Sequence, residues 1–372
     1  MSALVLLGLG WAVLATGFSA VALARLLRAR RSTTRAVSPP PVLLLRPVDA
    51  PTPRELENLS LPVTYAGVLE QVVVSPFRPR LPPDVRWLPS DPPTPNRKVG
   101  HLLYALGTLP TGGRVVLAVD ADVAVTGELV EALATPVVNG ASLCTAPPLP
   151  VDARDLAGRA MAGLLRYTHH SFRALHAMSA GAKAVCGKAL ALSPAARTEL
   201  AALGDHIGED LELSKRLHAR GLDVALSEVP AVVPMGVVDS WNIPLSRFTR
   251  WMRVLASHRP ALYPTVPLLF TPTVPLVVLA VVVGSPVLSL AVAVLAGVRT
   301  LLALRLAALD GLVGERRWSA LTGWLAGEAL LLAAFVGSLG KSGTVTWRGY
   351  TYALRPGGRM VRVWPELTGG PG

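Results

Sequence analysis

Three short groups of residues carry the chemistry open to this chain. Asp120 and Asp122 close the run VVLAVDADV, in which Val115 to Val119 reads as a buried strand. Side chains two apart leaving a strand point the same way, so these carboxylates can share one hard divalent cation that bridges to phosphate oxygens; the plain alternative is a solvated loop pair. Gly208-Glu209-Asp210 stands where a helix begins. An acid there complements the helix dipole, or, held beside a reacting hydroxyl, serves as a general base. Arg247-Phe248-Thr249-Arg250-Trp251 lies just ahead of a long apolar region. Basic and aromatic residues in that place anchor a chain at a membrane surface. Equally, Arg forks hold a diphosphate, and an indole offers an apolar face to a sugar or a lipid. Lys98, following Asn96 and Arg97 after a Pro-rich loop, is either a further phosphate contact or a solvated side chain. Cys144 and Cys186 sit in apolar, strand-like runs with no CxxC or Cys/His cluster. That argues against a disulfide framework or zinc site and fits a reduced, cytoplasmic setting.

The elements that must position these groups follow from periodicity. Val42 to Leu45, Leu69 to Val74, Val85 to Leu88 and Val115 to Val119 read as buried strands. Arg97 to Leu109 reads as a helix with Leu102, Leu103 and Leu106 on one face, and Asp155 to Met178 as a long helix. Ser193 followed by Pro194 is an N-cap with a first-turn proline, and Glu209 to Arg220 is a helix closed by Gly221. Strands alternating with helices from about Val42 to Val229 imply an α/β layer with a largely parallel sheet. Ligands of such sheets bind at the carboxyl ends of the strands, where Asp120 and Asp122 lie.

The chain's two ends are of another kind. Of 372 residues, 51% are hydrophobic and 16% charged, and the mean hydropathy is +0.46, values that disfavour both an ordinary soluble enzyme and a disordered chain. Ser2 to Ala24 holds no charge and is followed by Arg25, Arg28, Arg30, Arg31 and Arg35. The run is long enough to cross a membrane, and its basic residues lie on the wrong side for a signal peptide, so it reads as a retained anchor with the following residues cytoplasmic. Three further apolar blocks follow: a Pro-rich one from Leu262 to about Gly284, one from about Pro286 to Leu304, and one from about Trp318 to Leu339. If all three cross, the basic tail (Lys341, Arg348, Arg355, Arg359, Arg362) lies outside; if the first is interfacial or re-entrant, the Arg-rich link before the last does. The net charge of +12 clusters beside these segments, with no interleaved basic and aromatic sheet motif, which argues against a nucleic-acid partner.

In this order the motifs resemble the family 2 type of GT-A glycosyltransferases, and most closely the ceramide glucosyltransferase branch with its bacterial lipid-glycosylating relatives. The likeness extends through LLLRPVDAPTPRELENL, NRKVGHLL, the stretch from His170 to Lys183 and TVTWRGYTYALRPGG. It implies a Rossmann-like GT-A domain, cytosolic, between an N-terminal anchor and C-terminal membrane helices: residues 1–27 as anchor, 36–258 as the catalytic domain ending in an interfacial helix, 259–341 as two or three membrane helices, and 342–372 as a basic tail. By the resemblance, Asp120 and Asp122 bind Mg2+ or Mn2+ and the nucleotide-sugar diphosphate, Asp210 is the catalytic base, Arg247 and Arg250 meet the diphosphate, and Trp251 meets the acceptor. Lys98 and His170 lie where the branch has a lysine and a histidine near the nucleotide. The implied reaction is inverting transfer of a hexose from a UDP-hexose to a lipid hydroxyl at the inner or plasma membrane, with the oligomeric state open. The chain departs from the pattern at one point. The aspartate that contacts the nucleotide base should follow Leu69 to Val74, where the chain reads Ser75-Pro76-Phe77, and neither Asp49 nor Asp84 aligns with it. Two other readings are a processive polysaccharide synthase, for which the apolar blocks are few, and an inactive membrane-anchored scaffold that keeps the fold.

Overall fold

The computed structural model describes residues 2–28, 38–179, 181–309, 315–340, 343–347 and 349–363. The uncharged N-terminal run forms α1 (Ala3–Arg28). Strands and helices then alternate as β1 (Val42–Pro47), α2 (Pro53–Leu59), β2 (Leu69–Ser75), β3 (Arg86–Pro89), α3 (Arg97–Thr108), β4 (Val115–Val119), α4 (Gly127–Val138), β5 (Leu143–Thr145), β6 (Pro148–Ala153), α5 (Leu156–Met178), β7 (Ala189–Leu192), α6 (Pro194–Leu200), α7 (Glu209–Ala219), β8 (Val224–Leu226) and β9 (Ala231–Gly236). The remainder is α8 (Asn242–His258), a π-helical turn at Val266–Phe270, α9 (Thr273–Val283), α10 (Pro286–Leu309), α11 (Glu315–Ser338), and the strands β10 (Thr344–Trp347), β11 (Tyr350–Arg355) and β12 (Arg359–Arg362).

Strands β3-β2-β1-β4-β7-β5-β8 form one sheet, in that order. All run the same way except β7, which is antiparallel to both β4 and β5. Because both faces are covered, the strands are apolar throughout rather than alternating. Leu43 and Leu45 face α3, α6 and α7 through Leu102, Leu200 and Leu213, while Val42, Leu44, Leu117 and Val119 face α4 through Leu129 and Leu133. Local signals set the helix ends. The Ser193 hydroxyl accepts from the Ala196 N–H at 3.2 Å with Pro194 opening α6, and Gly221, at φ 66°, ends the α7 region. Strands β6 and β9 pair separately in parallel. Of the two cysteines, Cys144 lies in β5 as expected, but Cys186 lies in the loop before β7; burial pushes both thiols up to about 12, which disfavours the reactive thiolate.

Three helical stretches, Ala3–Ala24, Pro286–Ala308 and Leu321–Ser338, are long and apolar enough to cross a membrane. The Pro-rich first block is not a fourth: Pro272 breaks it into the π-helical turn and α9, whose 11 residues rise roughly 16 Å against about 30 Å of hydrocarbon. Gly8 stands against Leu279 and Leu288, Ser19 bonds Arg299, and Ala22 packs with Leu302 and Leu306. α1 and α10 therefore run side by side in one direction, with α9 leading the chain back between them to a tight turn at Gly284. The carboxyl-terminal turns of α1 and α10 lie at the same end of the helices, yet the tail strands return to the α/β layer. The reason is the surface of α11. Gly323 and Gly327 bring it so close to α5 that a Cβ on Gly163 would stand 1.8 Å from the Gly323 carbonyl oxygen, and one on Gly327 2.4 Å from the Leu164 nitrogen. Arg30, Arg31, Arg35, Lys341 and Arg348 lie outside the described residues.

Candidate active site

The fully buried strand β4 delivers Asp120 and Asp122 at its carboxyl end. The turn that carries them is fastened from below by Arg46, a fully buried charge near the carboxyl end of β1. Its Nη2 donates to the carbonyls of Asp120 at 3.1 Å, Ala121 at 3.3 Å and Val123 at 2.7 Å. Burial draws the Arg46 guanidinium down to about 10, and Asp122 and Asp120 limit the fall. A fixed cation beneath the turn keeps both carboxylates aimed outward.

Two lysines meet these carboxylates. Lys98 stands in the first turn of α3, which Asn96 caps by accepting from the Val99 N–H while donating to Glu209 Oε2 at 3.0 Å. Its Nζ is 2.8 Å from Asp120 Oδ1, 3.1 Å from Glu209 Oε1 and donates to the Gly187 carbonyl at 2.6 Å. Lys188 Nζ lies 3.2 Å from Asp120 Oδ2 and also pairs with Asp122. Burial works against every charge here, but pairing outweighs it: the Asp120 carboxyl is held below its ordinary value by Lys98 and Lys188, and both lysines are held above theirs. The other oxygen of Asp122, Oδ1, is buried with no hydrogen-bond partner.

Asp210 completes the group. Gly208 precedes it at φ 72°, in the left-handed region, and opens α7 so that the Asp210 carboxylate accepts from the Gly187 N–H at 2.8 Å and the Leu211 N–H at 2.9 Å. A Cβ on Gly187 would stand 3.2 Å from Asp210 Oδ2 and 3.3 Å from Lys98 Nζ, so a larger residue there would press on both. Burial, and then the neighbouring Glu209 charge, push the Asp210 carboxyl up to about 6. That keeps the group ionised near neutrality and basic enough to take a proton. The loop before α7 is clamped by the tail: the Ile207 N–H donates to Gly358 O at 2.9 Å, the Met360 N–H to Asp205 O at 2.7 Å, and His258 on α8 to Ile207 O at 2.8 Å.

Of the residues expected from sequence, Lys98, Asp120, Asp122 and Asp210 thus converge. Arg247, half-buried on α8, lies close enough to Lys188 to oppose its charge, and Arg250 lies next to Arg247. Among the described residues neither arginine is paired with a carboxylate, so both are free to meet an anion. Trp251 is half-buried, with the Arg247 guanidinium 5.6 Å from its ring centre and Phe248 against its edge. His170 falls on α5, but its side chain lies outside what is described. No carboxylate follows β2: the Ser75 hydroxyl donates to the Phe77 carbonyl and accepts from Trp87. Asp49 ties Arg97 and His101 at 2.7 and 2.8 Å, and Asp84 is exposed.

Sequence reasoning gave no role to Arg46 or Lys188 and did not place the tail against the loop before α7. The signals were a charge inside the apolar run LLLRP and a lysine directly before the strand ALAL. For a divalent cation the donor set fits: two carboxylates and one buried, unpartnered carboxylate oxygen. No group of three or more His, Cys, Asp or Glu gathers as a metal cage among the described residues. A hard cation held by one or two carboxylates takes its remaining oxygens from a phosphate ligand.

The sequence model of glycosyl transferase family 21 matches residues 86–360. Among curated proteins no sequence matches. Solved structures similar to this chain include a mannosyltransferase from Pyrobaculum calidifontis in complex with GDP-Man and Mn2+, at 16% identity and a TM-score of 0.44 over 91% of this chain and 98% of that one. Another is a mycobacterial protein at 18% identity and a TM-score of 0.35, over 64% of this chain and 78% of that one.

Proposed function

The chain belongs to glycosyl transferase family 21, and from that premise we propose that it transfers a hexose from a nucleotide diphosphate sugar, a UDP-hexose, to the hydroxyl of a membrane lipid. Its α/β layer is a GT-A glycosyltransferase domain. The observation that carries the lipid acceptor is the double allegiance of α8. One side of this helix bears Arg247 beside Lys188. Another buries Phe248 and Met252 among Leu330, Leu331 and Ala334 of the apolar helix α11. Val237, Trp241, Ile243 and Leu245 near the start of α8, and Leu262 and Leu268 beyond its end, are exposed. Apolar exposure of this extent fits contact with a bilayer.

In this reading Lys98, Arg247 and Arg250 hold the diphosphate and take up the charge that develops as it leaves. Asp120 and Asp122 would hold Mg2+ or Mn2+, which supplies further positive charge to the diphosphate when bound. Asp210 accepts the proton of the lipid hydroxyl as that oxygen bonds to the anomeric carbon. The bond from that carbon to the diphosphate breaks in the same displacement, which inverts the centre. Trp251 lines the acceptor's approach. In this reading the catalytic domain lies on the cytoplasmic face of the cell membrane, which the run of arginines that follows Ala24 supports.

The test is to incubate membranes containing the full chain with labelled UDP-hexoses and total lipid, and to identify products by mass spectrometry. A lipid bearing one hexose of inverted configuration is expected. A long saccharide product, or no labelled lipid with any donor, would overturn the reading.

A further inference from the structure

We propose that Lys188 is an internal counter-cation for the Asp120 and Asp122 pair, displaced when a divalent cation arrives together with the donor diphosphate, so that metal binding is coupled to nucleotide binding. The proposal rests on Asp120 and Asp122 being the metal ligands. Lys188 Nζ touches both carboxylates, with its side chain 14% exposed. It thus supplies between them the positive charge that a divalent cation would supply. A cation on the same two carboxylates meets a like charge at contact distance in a place with little solvent, and that repulsion is large. Lys98, on Asp120 Oδ1, adds to it. An incoming diphosphate removes the conflict in two ways: it adds oxygen ligands to the metal, and it offers an anion to the displaced ammonium.

The backbone fits such an exchange. The Lys188 carbonyl accepts from the Asp120 N–H at 2.9 Å, and the next residue enters β7 against β4. The main chain is therefore fixed, while four flexible methylenes let the ammonium swing. Arg247 stands on the side of α8 near Lys188 and opposes its charge. An anion drawn to Arg247 therefore also draws Lys188 away from the carboxylates. Asp122 Oδ1, buried and without a hydrogen-bond partner, is the oxygen that Lys188 leaves open to the entering cation.

The experiment is a Mn2+ titration of the purified full chain in detergent. Bound ion is read from loss of the free-ion electron paramagnetic resonance signal, with and without UDP, against protein-free UDP blanks. The unsubstituted chain should bind Mn2+ about ten-fold or more tightly with UDP than without it. Lys188→Met should bind Mn2+ without UDP about ten-fold more tightly than the unsubstituted chain and lose most of the UDP dependence; Lys188→Arg should keep the coupling. Equal Mn2+ affinity with and without UDP in the unsubstituted chain overturns the proposal with no variant needed. So does a folded Lys188→Met chain whose UDP-free affinity is unchanged. Asp122→Asn separates the two layers of the argument. If it leaves UDP-dependent Mn2+ binding intact, the metal-ligand reading falls; if it abolishes that binding while Lys188→Met changes nothing, only the role of Lys188 falls.

Discussion

An ionic cluster at the carboxyl end of the sheet and another among the apolar helices solve the burial of charge differently. In the helices, Arg299 pairs with Glu328 at 3.0 Å, and both side chains are almost wholly buried. The guanidinium also donates to Ser19 on α1, to the carbonyls of Leu269 and Phe270 in the π-helical turn and to Thr273. The second oxygen of Glu328 caps α9 by accepting from the Thr273 N–H at 2.6 Å. One pair thus ties together α1, the π-helical turn, α9, α10 and α11 and supplies a donor to the Leu269 and Phe270 carbonyls where the helix breaks before α9. In the cluster at the sheet, Asp120, Asp122 and Glu209 share two lysines, Asp210 lies close enough to Lys98 to feel its charge, and Asp122 keeps an unpartnered oxygen. A saturated cluster is a fastening. A cluster with surplus acid and movable lysines is equipped to exchange partners with a ligand.

The comparison can be broken at its most reactive point first. Asp210→Asn should lower turnover by about 10² to 10⁴ while sparing donor affinity, because a positioned base contributes that much to the rate. Single-turnover transfer measured beside UDP-sugar binding checks this, and unchanged turnover would remove Asp210 from the chemistry. Next, Arg299→Met strands Glu328 in an apolar bundle and should cost about 3–5 kcal/mol of stability. The double change Arg299→Met with Glu328→Leu should restore most of it, since replacing both charges by apolar groups is often near neutral. The unfolding midpoint of the solubilised chain reports this, and the folded fraction should bind donor as before. The smallest effect sharpens the contrast through pH. With its carboxyl raised to about 6, Asp210 is ionised above that pH and protonated below it. kcat/KM should therefore stay level above about 6 and fall roughly ten-fold per unit beneath it.

How much of this was legible beforehand differed by element. β4, α3, α5 and α7 were written locally, in apolar runs and in a 3.6-residue period, and they appear within a residue or two of their expected limits, while α6 begins at Pro194 as its Ser193 cap implied. The motif order singled out Asp120, Asp122 and Asp210, because each acid alone has an ordinary structural reason, such as complementing a helix dipole, but the three together follow a family's spacing. Lys188 was invisible for the opposite reason. A lysine before a strand is ordinary until β7 is known to lie antiparallel beside β4, and that pairing brings residues 66 apart in the chain into contact. The tail, read as a basic extension, is a three-stranded sheet whose Gly358, at φ 76°, lies so close to His258 and Ile207 that a side chain there would collide with both.

The sequence by itself therefore determined the division of the chain into apolar helices and an α/β layer, the family, and the acids that can do chemistry. These are properties of composition and short-range spacing. The tertiary structure alone decided which cation faces which acid, how the broken first apolar block runs between α1 and α10, and that the tail returns to brace the loop before Asp210. Those outcomes depend on contacts between residues far apart in the chain, where burial forces each charge to find a partner and small residues set how closely helices approach.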